Sequence, residues 1–90
     1  MELREFKAKY LARLLNLKIR LLKKYPDRAQ RIEYIVDLLA NKLSTLRLYT
    51  LPDYLHSVHL ATKEFKEFEE LLPPVEEIDE LLESSDSTFL

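Results

Sequence analysis

Apolar residues return every three or four positions from Glu2 to Tyr25. Leu3, Phe6, Tyr10, Leu14, Leu17, Leu21 and Tyr25 mark one face of a helix, because each residue advances the helix by about 100°. Leu11, Leu15 and Leu22 widen that arc on one side, while Lys9, Arg13, Arg20, Lys23 and Lys24 fall opposite. An arc this wide exceeds one narrow seam, so the helix is expected to touch more than one neighbour. Pro26 has no N–H for a helix interior and disfavours α geometry in the residue before it, which predicts a boundary at Tyr25. Pro26 or Asp27 then opens a second helix. Ile32, Ile35, Val36, Leu39, Leu43, Leu46 and Tyr49 carry it to about Tyr49, with Leu38 and Leu48 outside the stripe. So short a connection makes the two helices antiparallel neighbours. They form a long hairpin whose tip gathers Lys23, Lys24, Arg28 and Arg31.

Thr50 is placed to cap a third helix, with Asp53 in the capping-box position three residues on. Leu51, Leu55, Val58, Phe65, Phe68 and Leu72 predict its apolar face, with small Ala61 and Thr62 in the middle, and Pro73-Pro74 ends it. Val75, Ile78 and Leu82, with Leu81 beside them, predict a short fourth helix amid Glu76, Glu77, Asp79, Glu80 and Glu83. Two helical turns are marginal alone, so this segment is expected to order by docking on the bundle or on a partner. The polar residues 84–90 are expected to be flexible. The pattern therefore predicts an all-α fold: a long antiparallel helical hairpin, a third helix and a short C-terminal helix. That is a three- to four-helix bundle in a single domain over 1–83, followed by a polar tail.

Composition narrows the choice. The chain has 90 residues and no glycine. Tight hairpin turns and phosphate-cradling loops depend on glycine for positive φ or close backbone approach, so a β-rich fold or a P-loop enzyme is not expected. There is no cysteine, which removes disulfides and thiolate metal sites and fits a reducing cytoplasm. Abundant charge with few Asn, Gln and Met would suit a heat-adapted source. No run of about 20 uncharged apolar residues is present, so no membrane span is expected. Glu2, Arg4, Glu5 and Lys7 occupy the place where a signal peptide would be uninterruptedly apolar.

Net charge is only −2, yet the two halves oppose each other. Residues 1–50 hold twelve bases against five acids, or +7, and residues 51–90 hold two bases against eleven acids, or −9. A split this large marks an interaction surface or halves that attract each other.

Candidate chemistry is sparse. His56 and His59 lie three apart, a spacing that can hold a metal, but Lys63 occupies the next turn and no third ligand follows; two polar-face histidines are the better reading. The acids crowd the solvent faces expected of the third and fourth helices rather than pairing in a cleft, and Ser44 and Thr45 have no base beside them, so catalysis is not expected and no cofactor or metal is assigned. Lys9, Arg13, Arg20 and Lys24 with Lys23, Arg28 and Arg31 form a basic stripe. It would neutralise phosphates or an acidic partner, or else pair with the chain's own acidic half. Val75, Ile78, Leu81 and Leu82 are a candidate partner-docking segment. Ser87-Thr88-Phe89-Leu90 resembles the C-terminal ligand of a PDZ-type groove.

The resulting expectation is a non-enzymatic protein–protein interaction module, either a homo-oligomer or a small accessory subunit of a larger assembly. The alternative is a nucleic-acid-binding protein, or an accessory subunit of a nucleic-acid-processing enzyme such as a polymerase. No small-molecule substrate or membrane is implied.

Overall fold

The computed structural model describes residues 1–89, with side chains described through Glu83. The chain is helical: α1 is Leu3–Lys24, α2 Ala29–Ser44, α3 Leu51–Thr62 and α4 Val75–Phe89. Short 3-10 segments at Pro26–Arg28, Leu48–Thr50 and Lys66–Leu71 turn the chain between them. Among the described residues there is no strand, no cis peptide bond and no positive φ.

α1 and α2 form the expected hairpin. The Tyr25 N–H still bonds to Leu21 O at 2.8 Å, but Tyr25 itself leaves helical geometry at φ −127°. Pro26 then starts the 3-10 turn, where its missing N–H costs nothing. At the far end the Lys7 ammonium reaches Ser44 O at 3.4 Å, which fixes the antiparallel register. Phe6, Tyr10, Leu14, Leu17 and Leu21 are buried on α1, and Ile32, Ile35, Val36, Leu39 and Leu43 on α2, as the spacing predicts.

α2 stops at Ser44, short of the predicted Tyr49. The Ser44 and Thr45 hydroxyls donate to the carbonyls of Ala40 and Asn41 at 2.9 and 3.0 Å, an alternative to continuing the ladder. Leu46 drops into the core from the irregular stretch that follows, and Tyr49, predicted on the stripe, is 84% exposed. Thr50 stands at the N-cap position of α3, as expected, but its side chain makes no capping bond. Its hydroxyl instead accepts the Arg47 N–H at 2.9 Å, and Asp53 pairs with Lys42 at 2.6 Å.

α3 also ends early, at Thr62 rather than Leu72. Phe65 is extended (φ −137°, ψ 106°) and leads into the 3-10 segment Lys66–Leu71. A 3-10 helix has three residues per turn, so Phe65, Phe68 and Leu71 align on one edge and all are buried. Leu72, which α-helical spacing puts in the core, is thrown outward. Tyr54 and Ala61 join Leu51 and Val58 in the buried face of α3, and Leu55 is half-buried.

Pro74 opens α4, its carbonyl taking the N–H groups of Glu77 and Ile78. The helix docks on its own chain. Leu81 is fully buried and Ile78 packs against the same core, whereas Val75 and Leu82 stay exposed. α4 runs beyond the two turns that the apolar spacing predicts. It takes in the backbone of residues 84–89, where a polar tail is expected, while the Thr88 and Leu90 side chains of the PDZ-like motif lie outside the described residues.

Aromatic rings tie the pieces together. Tyr25, Phe65 and Phe68 pack edge to face with centroids 5.3 and 6.2 Å apart, joining α1 to the 3-10 segment. Phe68→Ala is expected to cost about 3–5 kcal/mol in urea unfolding, because it empties a fully enclosed site. Tyr49→Ala should change stability by less than about 0.5 kcal/mol, in contrast to what its place on the predicted stripe would imply.

Candidate functional site

After the tip of the hairpin the acidic half runs back along α1, and the two halves are laced together. Glu64 accepts from Arg31 through both carboxylate oxygens and lies 3.7 Å from Arg28. Glu67 pairs with Lys24 at 3.0 Å and accepts from the Tyr25 hydroxyl at 3.2 Å. Glu70 takes both Arg20 nitrogens at 3.0 and 2.5 Å, and Glu77 takes Lys9 at 3.0 Å. The spacing has a geometric cause. Three residues of 3-10 helix rise about 6 Å, as do four residues of α-helix. Acids at every third position therefore keep step with bases at every fourth, so Glu67 and Glu70 meet Lys24 and Arg20 in turn.

Most of the predicted basic stripe is thus engaged within the chain. Lys9, Arg20, Lys24, Arg28 and Arg31 each hold a carboxylate. Arg13 lies over the Tyr10 ring at 5.0 Å, and Lys23 is exposed with no ion pair among the described residues. The bonded carboxylates raise the pKa of Arg20, Lys24 and Arg31 further. Arg31 in turn holds Glu64 below the usual 4.5. Burial works against Glu67, but the Lys24 ammonium and the hydrogen bonds around it still bring that carboxyl down.

The partner-docking candidates divide. Leu81 and Ile78 serve the chain's own core, while Val75 and Leu82 face outward. His56 and His59 are exposed on α3, and among the described residues no group of three or more metal-binding side chains gathers. Among those residues no helix is long and apolar enough to cross a membrane.

One polar cluster escapes the sequence reading. Tyr10 Oη, Tyr54 Oη and Glu77 Oε1 are buried with no hydrogen bond among the described residues. Burial first, and the neighbouring Glu77 carboxylate second, push the Tyr10 hydroxyl up to about 12. Burial, then Tyr10, pushes Tyr54 up as well. Shifts in this direction hold both phenols in the protonated form. The signal was available: Glu77 lies four residues before Leu81, so a helix that buries Leu81 turns Glu77 inward too.

The remaining feature is an uncovered face. Leu15 and Ile19 are 48% and 55% exposed on α1, on the side away from the acidic strap. Half-buried Leu11 and Leu22 continue the stripe. Beside it, a 270 Å³ trough between α1 and α2 is floored by Ala8, Leu11 and Leu43.

The lowered carboxyls make acid stability a test of the lacing. A group whose folded pKa lies below its unfolded value stabilises the fold above that unfolded value. It loses the contribution as pH falls through the folded one. Unfolding free energy measured by urea should therefore hold from pH 7 to about pH 5 and decline below. The double variant Glu64→Gln/Glu67→Gln should begin lower at pH 7 and show a shallower acid limb; superimposable limbs would mean that the pairs contribute nothing. Comparison with protein-family models, with curated proteins and with solved structures finds no match, which leaves charge, packing and exposed surface as the grounds for function.

Proposed function

We propose that the chain is a non-enzymatic helical protein–protein interaction module, acting as a homo-oligomer or as a small accessory subunit of a larger assembly. The observation that carries this reading is the pair Leu15 and Ile19, large aliphatic side chains left half uncovered on the longest helix of a small bundle. Contiguous apolar surface on a short chain gains from burial against another polypeptide. The opposite side of the hairpin beneath it is closed by the core and laced by ion pairs. The cysteine-free composition supports a reducing compartment such as the cytoplasm.

The nucleic-acid reading draws less support from the geometry. Phosphates approaching the predicted stripe would have to displace Glu64, Glu67 and Glu70 from the bases they hold. Such a displacement trades one charge-assisted pair for another and gives up the match in spacing.

Leu15→Glu/Ile19→Glu tests the reading. Both positions are exposed, so circular dichroism and the thermal midpoint should stay close to those of the parent. When the tagged chain is recovered from its native source, the parent should retain a polypeptide, its own untagged copy or another, and the double variant should lose it. Equal retention by both would overturn the reading.

A further inference from the structure

We propose that the occupant of the Leu15–Ile19 face is a second copy of this chain, packed with its α1 on the partner's α2 and its α2 on the partner's α1. This inference rests on the interaction reading above and specifies its partner.

The two outward edges of the hairpin differ in size and in charge. α1 presents the large side chains Leu11, Leu15, Ile19 and Leu22, with Lys18 among them. On the edge of α2 that continues this face the side chains are small or acidic, Ala29, Glu33, Asp37 and Ala40, while its exposed Tyr34 and Leu38 fall farther round the helix. Among the described residues Lys18, Glu33 and Asp37 make no ion pair, in contrast to the laced side of the molecule.

A twofold axis parallel to the helices, lying between two stacked hairpins, sets α1 of one copy on α2 of the other in antiparallel sense. Such an axis introduces no slide along the helices, so each residue of α1 faces the partner residue already level with it within its own hairpin. The turn at Pro26–Arg28 and the Lys7–Ser44 contact set those levels. Leu11 comes opposite Ala40, Leu22 opposite Ala29 and Lys18 opposite Glu33: large on small twice, and base on acid once. Leu15 meets the diamond of Glu33, Val36, Asp37 and Ala40, whose spacing of three, four and seven is that of a hole receiving a knob. No other superposition of the two edges by a twofold axis keeps these matches. Stacking α2 on α2 would bring Glu33 and Asp37 of the two copies together.

The test uses the full chain in sedimentation equilibrium. The parent should be a dimer, and Leu15→Glu/Ile19→Glu should convert it to a folded monomer. Lys18→Glu and Glu33→Lys should each weaken the dimer by roughly tenfold or more, since each sets like charges together at both symmetry-related contacts. Mixing these two single variants should restore a mixed dimer near parental affinity. Both intermolecular pairs are then of opposite sign again, while the like charges within each chain remain. That mixture separates contacts between copies from contacts within one.

A parent that stays monomeric at hundreds of micromolar overturns the second-copy inference, as does a dimer indifferent to the Leu15 and Ile19 substitutions or a mixture no tighter than its components. If the parent is monomeric yet still loses a different retained polypeptide on Leu15→Glu/Ile19→Glu, only the choice of partner fails. If retention is also unchanged, the interaction reading fails with it.

Discussion

The fold depends on a match of rise between two kinds of helix. α1 repeats its inward and basic positions on the α period, while the strap that returns along it repeats on the 3-10 period. Three steps of one advance as far as four of the other. Because the advance is shared, Phe68 and Leu71 line the core edge of the 3-10 segment while Glu67 and Glu70 line its charged edge, and Phe65 and Glu64 lead into the two lines from just before it. Had the strap stayed α-helical, the apolar line and the acidic line would have rotated away from α1 within two turns. The poorer hydrogen-bond geometry of a six-residue 3-10 run is offset by the two edges it satisfies at once.

The two edges do different work. Burial of Phe65, Phe68 and Leu71 supplies most of the stabilisation, because enclosed aromatic and aliphatic area is worth far more than exposed ion pairs. The pairs choose the register. A slide of the strap by one residue would set Lys66 against the bases of α1 and remove each carboxylate from its partner. The opposed charges of the two halves, which in the sequence suggest either an external partner or mutual attraction, are consumed largely in this alignment. What remains outward is a different surface, the aliphatic and less paired side of the hairpin.

The hairpin was legible because its evidence is long: about six turns of consistent apolar spacing in α1 outvote any local ambiguity, and Pro26 gives an unambiguous stop. The later boundaries were not, for local reasons. Ser44 and Thr45 end α2 through hydroxyl-to-carbonyl bonds that leave no trace in apolar spacing, so Leu46 and Tyr49 look like continuations of the stripe. Past Thr62, Phe65 and Phe68 suit either helical period, and only the choice between Leu71 and Leu72 separates them. The same ambiguity recurs at Leu81 and Leu82. Choosing Leu81 would have turned Glu77 inward, but its approach to Tyr10 joins opposite ends of the chain and has no local signature. The carboxylates that Lys9, Arg20, Lys24, Arg28 and Arg31 hold sit dozens of residues away, a distance that no local pattern spans.

The absence of glycine acts on the denatured chain as much as on the folded one. Every reversal is made in right-handed or extended backbone, at proline or through a 3-10 turn, and none of the described residues needs positive φ. An unfolded ensemble without glycine, and with proline near three of its bends, explores fewer conformations and so surrenders less entropy on collapsing. For a core this small that saving is a material share of the net stability. Replacing a bend residue that makes no ion pair or side-chain hydrogen bond among the described residues, such as Asp27, with glycine would therefore weaken the protein chiefly through the unfolded chain.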